Sequence, residues 1–269
     1  MSSTSSKTPL ASQNIATAPE TSLEFLAIAS QFRLGQLPTE SRHPKTCDLS
    51  ELSKKSLAEA VRVVHEVERE ALDSALANQD ENLRALSQAV RTSWDAGGKI
   101  YFVGCGATGR LSVSIEALWR KEMLSRELSH EADQVRSFIA GGDYALVRSI
   151  ENFEDHPEFG ARQLRDLGFS ANDLLIATTE GGETPFVIGA TLEAAAISKF
   201  APWFLYCNPT ESLMSLERCR SIFNHSGIQS VSLSTGPMAV CGSTRLQAST
   251  VLMLTAGAAL FAAHDNGDV

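Results

Sequence analysis

The stretch Ile100–Ser112, IYFVGCGATGRLS, decides the fold class. A short apolar run, Ile100–Val103, leads directly into the spacing Gly104-x-Gly106-x-x-Gly109. Glycines in this spacing permit a tight turn from a strand into a helix, and the free N–H groups of that helix favour a phosphate. The spacing alone leaves three alternatives open: a dinucleotide site, a site for another phosphate, or a tight turn without a ligand.

Four more short apolar runs follow along the chain, with helical segments between them. Most of these runs lack a clean alternation of apolar and polar residues, which is typical of parallel strands buried on both faces. We therefore predict a doubly wound α/β domain with five parallel strands, in which ligands sit beyond the C-terminal ends of the strands. The further predicted strands are Ser137–Ala140, Leu174–Ala177, Trp203–Tyr206 and Ser230–Leu233.

The residues before the first strand have a different pattern. Residues 1–22 are rich in serine and threonine, and we predict a disordered tail there. Apolar residues then recur near the helical period from Asp48 onward, and another helix is predicted at about Asp80–Ala96. We therefore divide the chain into the tail, an N-terminal helical segment at 23–96 that packs on the next domain, and a ligand-binding domain at 97–269.

Composition and charge disfavour several classes of function. The 269 residues carry a formal net charge of −9, which argues against nucleic-acid binding. Five scattered cysteines and six histidines without ligand spacing indicate reduced thiols, a cytoplasmic location and no metal site. The most apolar stretch, Ala248–Ala263, contains serine and threonine, so we predict a buried helix there and no membrane span.

A dinucleotide at the first loop is disfavoured by the sequence that follows it. An NAD site of this kind needs a short crossover and an acidic residue about 20 positions on, at the end of the second strand. Here the second predicted strand begins near Ser137, long after Gly109, and nothing between them reads as a strand with a terminal acid. We therefore predict no nucleotide cofactor, and an NAD-dependent oxidoreductase remains only a third alternative.

Two later loops bring hydroxyl groups and glycines to the same edge of the predicted sheet. The loop ATTEGGETPF offers Thr179, Gly181 and Thr184, the last of which can cap a helix. The loop GSTRLQAS offers Ser243 and places Arg245 in the first turn of a long helix, where a cation is unfavourable unless it meets an anion. Together with the first loop, these side chains predict a cradle for a sugar phosphate.

In combination, these stretches resemble the sugar isomerase (SIS) domain family, in the branch that contains the N-acetylmuramic acid 6-phosphate etherases and the glucokinase regulatory protein. The resemblance covers roughly residues 36–263 and rests on TESRHPKT, GCGATGRLSVS, FIAGGDYALVRSIENFEDH, TPFVIGA, CNP and GSTRLQAS. It implies a three-layer α-β-α SIS fold with a five-stranded parallel sheet. It also implies a phosphosugar ligand, neither metal nor cofactor, a homodimer and, if the chain is regulator-like, a protein partner.

The resemblance also implies roles for individual residues. Etherases of this branch are lyases that release D-lactate, whereas the regulator binds a fructose phosphate in the same pocket without chemistry. Glu154 matches a glutamate that both share, and it is the predicted catalytic base. From the loops and the resemblance together, the predicted substrate-binding residues are Gly106, Ala107, Thr108, Gly109, Thr179, Gly181, Thr184, Ser243 and Arg245.

The chain departs from the etherase pattern at positions that matter for chemistry. Leu118 stands where the etherases have their acid–base glutamate, and a leucine cannot transfer a proton. Glu116 is the other catalytic candidate, but a two-residue shift rotates its side chain by about 200° around the helix. Gly181 lacks the etherase serine hydroxyl, and Glu183 replaces an arginine. We therefore predict a protein that binds an amino-sugar or hexose phosphate without etherase chemistry; the alternative is a divergent etherase or a related phosphosugar isomerase.

Overall fold

The computed structural model describes residues 21–28, 34–77, 79–148, 150 and 152–265. The chain forms two compact units, Met1–Arg33 and Leu34–Val269. In the first unit, helix α1 spans Ser22–Ile28. Residues 1–20 of the predicted tail lie outside the described residues, and the division of the chain between residues 96 and 97 stays a prediction. All other elements belong to the second unit.

A five-stranded sheet forms the middle of the second unit. All neighbouring strands are parallel, in the order β2-β1-β3-β4-β5. Every residue of the central strands β1 and β3 is buried, as expected for strands covered on both faces. The predicted α/β fold with five parallel strands is confirmed. The strands are β1 Ile100–Gly104, β2 Val135–Ile139, β3 Leu174–Thr179, β4 Trp203–Tyr206 and β5 Gln229–Ser232.

Helices cover both faces of the sheet, and several of them precede the first strand in the chain. Short 3-10 turns lie at Leu34–Gln36, Pro38–Glu40, Pro44–Thr46 and Asp143–Leu146. The helices are α2 Leu49–Lys55, α3 Leu57–Leu76, α4 Asp80–Asp95, α5 Gly106–Ser125, α6 Pro157–Asp166, α7 Pro185–Ile197, α8 Thr210–Met214, α9 Glu217–Phe223 and α10 Gln247–Asp265.

The core is divided between the two faces of the sheet. Successive side chains of β1 point to opposite faces, so that Phe102 packs with α4, α5 and α10, whereas Val103 packs with α6, α7 and α9. Helix α10 is long and apolar enough to cross a membrane by length and composition. Half of it is buried inside the described part of the chain, where it packs against α3, α4 and α5.

Candidate functional site

The candidate site lies at the C-terminal ends of β1, β3 and β4, where the predicted loops meet the segment 37–43. Asn208, just after β4, is fully buried and holds this arrangement together. Its Oδ1 accepts a hydrogen bond from Thr39 N (3.2 Å), and its Nδ2 donates to Thr39 Oγ1 and Gly181 O (both 2.9 Å). One amide side chain thereby fixes the loop after β3 to a segment far away in the sequence.

The turn after β1 is shaped by close packing. A Cβ atom on Gly104 would lie 2.3 Å from the carbonyl carbon of Thr108, so only glycine fits here. Thr108 is buried, and its Oγ1 accepts from Cys105 N (3.0 Å) while donating to Cys105 O (2.9 Å). Cys105 is the N-cap residue of α5, and Thr108 caps the helix from inside its first turn.

The start of α5 presents backbone donors. Within the described residues, the N–H groups of Gly106 and Ala107 donate no hydrogen bond, and they begin a helix of 20 residues. Arg110 lies one turn later, where its Nη1 donates to Gly106 O (3.0 Å) and its Nη2 to Ala145 O (3.1 Å). Two free N–H groups at a helix N-terminus can bind an anion.

Glu154 lies beside this turn. Its Oε2 accepts a hydrogen bond from Cys105 Sγ (3.0 Å), and its backbone carbonyl accepts one from Phe186 N (2.9 Å) in the first turn of α7. The Glu154 side chain is exposed. Burial, followed by the hydrogen bond to Glu154 and its negative charge, raises the pKa of Cys105 far above its usual range, so the thiol stays protonated.

The loop after β3 places two predicted hydroxyls together. Thr179 Oγ1 and Thr184 Oγ1 are 3.3 Å apart, and Thr179 Oγ1 also accepts from Gly182 N (3.2 Å). Thr184 is the N-cap residue of α7, but its side chain makes no capping hydrogen bond, which differs from the prediction. Its hydroxyl belongs to the loop instead.

Glu180 joins this loop to the last one. Its Oε1 accepts a hydrogen bond from Ser249 Oγ (2.7 Å) in α10. Burial raises the pKa of Glu180, and hydrogen bonds from Ser249 and Thr244 and the charge of Arg245 oppose that rise. Helix α10 begins only at Gln247, so the prediction that Arg245 lies in its first turn is wrong. Arg245 is exposed in the preceding turn, and its charge acts on Glu180.

Glu183, which replaces the arginine of the etherase pattern, forms an ion pair with Arg218 of α9 (Oε2 to Nη1, 2.9 Å). Burial raises the pKa of Glu183, Arg218 lowers it, and the negative charges of Glu154, Glu40 and Asp155 raise it further. The loop after β3 therefore presents a carboxyl group that holds a proton more readily than an ordinary glutamate.

Two predicted positions on α5 lie away from these loops. Glu116 Oε2 accepts from Ser137 Oγ (2.6 Å) in the middle of β2, and its Oε1 lies 3.5 Å from Arg120 Nη2. Leu118 is 49% exposed. In the described part of the chain, the Glu116 carboxylate forms its hydrogen bonds with Arg120 and Ser137 and not with Glu154 or the loop after β3.

Four residues of this site are not among the predicted catalytic or substrate-binding residues. Glu180 and Glu183 lie in the loop after β3, which was predicted to take part in binding. The glycines beside them are the sequence signal that could have pointed to these two residues. Asn208 lies in the stretch CNP, but its partner Thr39 is 169 residues away, so no local pattern shows the contact. Arg218 has no sequence signal. Among the residues the structure describes, no group of three or more histidine, cysteine or acidic residues is placed to hold a metal.

Comparisons with known proteins identify the family of the chain. Residues 82–195 match the family model of the glucokinase regulatory protein N-terminal SIS domain. The chain is 32% identical over 232 residues to the N-acetylmuramic acid 6-phosphate etherase of Rhodopirellula baltica, covering 84% of this chain and 70% of that protein. It is 29% identical over 221 residues to the etherase of Aeromonas hydrophila, covering 82% and 67%.

Solved structures share the fold. A phosphoheptose isomerase from Neisseria gonorrhoeae superposes with a TM-score of 0.55 at 14% identity, covering 78% of this chain and all of that one. At this identity the likeness concerns the fold alone. The family match and the etherase identities go further, and they confirm the resemblance read from the sequence. The chain belongs to the SIS domain family, in the branch of the N-acetylmuramic acid 6-phosphate etherases and the glucokinase regulatory protein.

Proposed function

We propose that this chain binds a sugar phosphate, with the phosphate against the start of α5 and the sugar ring toward the loop after β3. The observation that carries the proposal is the pair of free N–H groups on Gly106 and Ala107, at the same sheet edge as Thr179 and Thr184. A helix N-terminus favours phosphate, and hydroxyl and carboxylate groups suit the hydroxyls or the amine of a sugar. An amino-sugar or hexose phosphate is the proposed ligand class.

The same geometry supports binding rather than etherase chemistry. Elimination of lactate needs a group that protonates the leaving oxygen, and the etherase position for it is Leu118 here. Glu116 does not replace it, because its carboxylate is engaged by Ser137 and Arg120. We therefore favour a sensing or regulatory role in carbohydrate metabolism, in a homodimeric cytoplasmic protein, with a protein partner as in the regulator.

A lyase reaction is the second candidate, and the identity to etherases favours it. Glu154 would remove the proton from the carbon next to the sugar carbonyl. The bond from the neighbouring carbon to the lactate oxygen would then break, and that oxygen would take a proton. Glu180 and Glu183, whose pKa values burial raises, are carboxyl groups that would hold this proton.

Two measurements on the purified chain separate these functions. Calorimetric titration with glucosamine 6-phosphate, glucose 6-phosphate and fructose 1-phosphate should show binding of at least one at or below about 1 mM. Incubation with N-acetylmuramic acid 6-phosphate should release no D-lactate. Turnover that Glu154→Gln abolishes and Glu158→Gln leaves intact would establish the lyase instead. Absence of binding for every sugar phosphate contradicts both functions.

A further inference from the structure

A cavity of about 430 Å³ lies between α3 and the segment that leaves β5, and we call it the α3–β5 cavity. Its volume falls within the range of small-molecule sites. Its apolar lining includes Val67 and Ala71 of α3, which are almost fully buried, and the partly exposed Pro237. His43, at the end of the segment 37–43, lines this cavity, but none of the predicted sugar-phosphate-binding residues does. A ligand here would therefore not contact the turn after β1.

The polar lining offers hydrogen-bonding groups without partners. The hydroxyls of Ser74 and Ser234 make no hydrogen bond within the described part of the chain. Thr235 is 6% exposed, and its Oγ1 is buried without a partner among the described residues. Gln79, which lines the cavity and is the N-cap residue of α4, donates from Nε2 to Ser232 O (3.2 Å) and so ties the turn between α3 and α4 to β5. The unpartnered hydroxyls lie on α3 and on the segment after β5.

The charges around the cavity nearly cancel. Glu70 lines it and forms an ion pair with Lys45. His43 also lines it, and its Nδ1 accepts a hydrogen bond from Lys45 N (3.2 Å), which leaves Nε2 as the donor. Burial lowers the pKa of His43, the charge of Glu70 opposes this, and Lys45 adds to it, so the imidazole is neutral near pH 7. Among the described residues, no lysine or arginine lines the cavity, which disfavours a phosphate.

We propose that the α3–β5 cavity binds an uncharged, polyhydroxylated molecule of monosaccharide size. The second oxygen of Glu70 accepts hydrogen bonds from ligand hydroxyls. The hydroxyls of Ser74 and Ser234 can donate or accept, and the His43 Nε2–H donates. Pro237, the partly exposed apolar residue of the lining, packs against the C–H face of a sugar ring. Lys45 pairs with Glu70 but does not line the cavity, so the carboxylate offers an acceptor at low net charge.

Ligand-observed NMR with D-glucose, N-acetylglucosamine and myo-inositol, each at up to about 10 mM, tests the proposal. At least one should bind the full chain. Ser74→Trp, at the open rim, should weaken binding at least about tenfold by filling the cavity. The matched control is Asp73→Trp, an exposed neighbour on α3 that does not line the cavity, and it should bind as the wild type does.

Ser234→Ala is the second variant, because it removes one hydroxyl without adding bulk, and it should weaken binding severalfold. Glucose 6-phosphate titrated into Ser74→Trp measures the other site, and its affinity should not change if the two sites are separate. Binding of none of the neutral probes would overturn the proposal. Equal binding by Ser74→Trp and the wild type would also overturn it, since the probe would then sit elsewhere.

Discussion

The Cys105 thiol donates a hydrogen bond of 3.0 Å to Glu154 Oε2, and this contact joins the turn after β1 to the segment before α6. Burial and the neighbouring carboxylate raise the pKa of the thiol and keep it protonated. Cys105 is thus a neutral donor that orients one oxygen of Glu154. The contact links the phosphate turn directly to the predicted base, although the two lie 49 residues apart.

This contact predicts how fast Cys105 reacts. Glu154→Gln removes a negative charge next to the thiol, so the pKa of Cys105 should fall. Alkylation by iodoacetamide should accelerate by about three- to fourfold for each unit of that fall, because the thiolate fraction rises while the thiolate becomes less nucleophilic. Peptide mass spectrometry follows Cys105 separately from the exposed Cys47 and Cys241. Glu158→Gln, a nearby exposed carboxylate that pairs with His156, should leave the rate unchanged. An unchanged rate in Glu154→Gln would contradict the contact.

Arg218 should stabilise the fold more at neutral pH than in acid. The pKa of Glu183 is higher in the folded state than in the unfolded state, so the protein loses stability as the pH rises above the pKa of the unfolded state. Arg218→Gln removes the opposing charge and should lower the unfolding free energy by about 1 to 2 kcal/mol near pH 8, and by less near pH 4. Urea denaturation at both pH values measures this.

The exposed pair Arg162–Asp166 provides the matched comparison. Arg162→Gln should change stability by less than about 0.5 kcal/mol at either pH, because exposed ion pairs contribute little. The double variant Glu183→Gln with Arg218→Gln should recover most of the loss at pH 8. A loss independent of pH in Arg218→Gln would mean that packing, rather than charge, explains the contribution of Arg218.

Asn208 should control both stability and the shape of the site. Asn208→Ala leaves the Thr39 N–H and the Gly181 carbonyl without their buried partner, and we expect a loss of about 2 to 3 kcal/mol in unfolding free energy. Limited proteolysis should then cut the segment 37–43 faster than in the wild type. Thr39→Val removes only one hydroxyl and should cost less. Equal stability of Asn208→Ala and the wild type would contradict this assignment.

The glycines of the first turn should differ sharply in their tolerance of alanine. Gly104→Ala places a Cβ 2.3 Å from backbone atoms of Thr108, so we expect a loss of about 3 kcal/mol or more. Gly106 has a positive φ of 55°, but no atom lies within 4 Å of the place its methyl group would take, so Gly106→Ala should cost only about 1 kcal/mol. Thermal melting compares the two, and equal losses would refute the packing argument.

Sequence patterns predict the fold well here because strands of a parallel sheet are buried on both faces and read as apolar runs. β4 matches its prediction at both ends, and β2 begins at Val135, two positions before the predicted Ser137. The glycine turn and the hydroxyl loops also lie at one sheet edge, because parallel strands end on the same side. These properties depend on local sequence and on topology.

Pairing across the fold is beyond the reach of local patterns. Thr108 is predicted from sequence as a substrate-binding residue, and only the structure shows that its hydroxyl also bonds Cys105 within its own turn. The sequence also suggests that Arg245 belongs to a helix, which in fact begins two residues later. Whether a side chain is free to bind a ligand depends on the atoms that surround it in the folded protein. Hydrophobic periodicity in the sequence does not encode those contacts.

The amino-acid sequence by itself determined the five-stranded α/β fold and the glycine turn at Gly104–Gly109, because both follow from residue type and spacing along the chain. Only the tertiary structure decided which charges are neutralised and which loops are joined. The ion pair of Glu183 with Arg218 and the hydrogen bonds of Asn208 with Thr39 connect residues far apart in sequence. Such contacts form only when packing of the two helical layers brings the strand ends together.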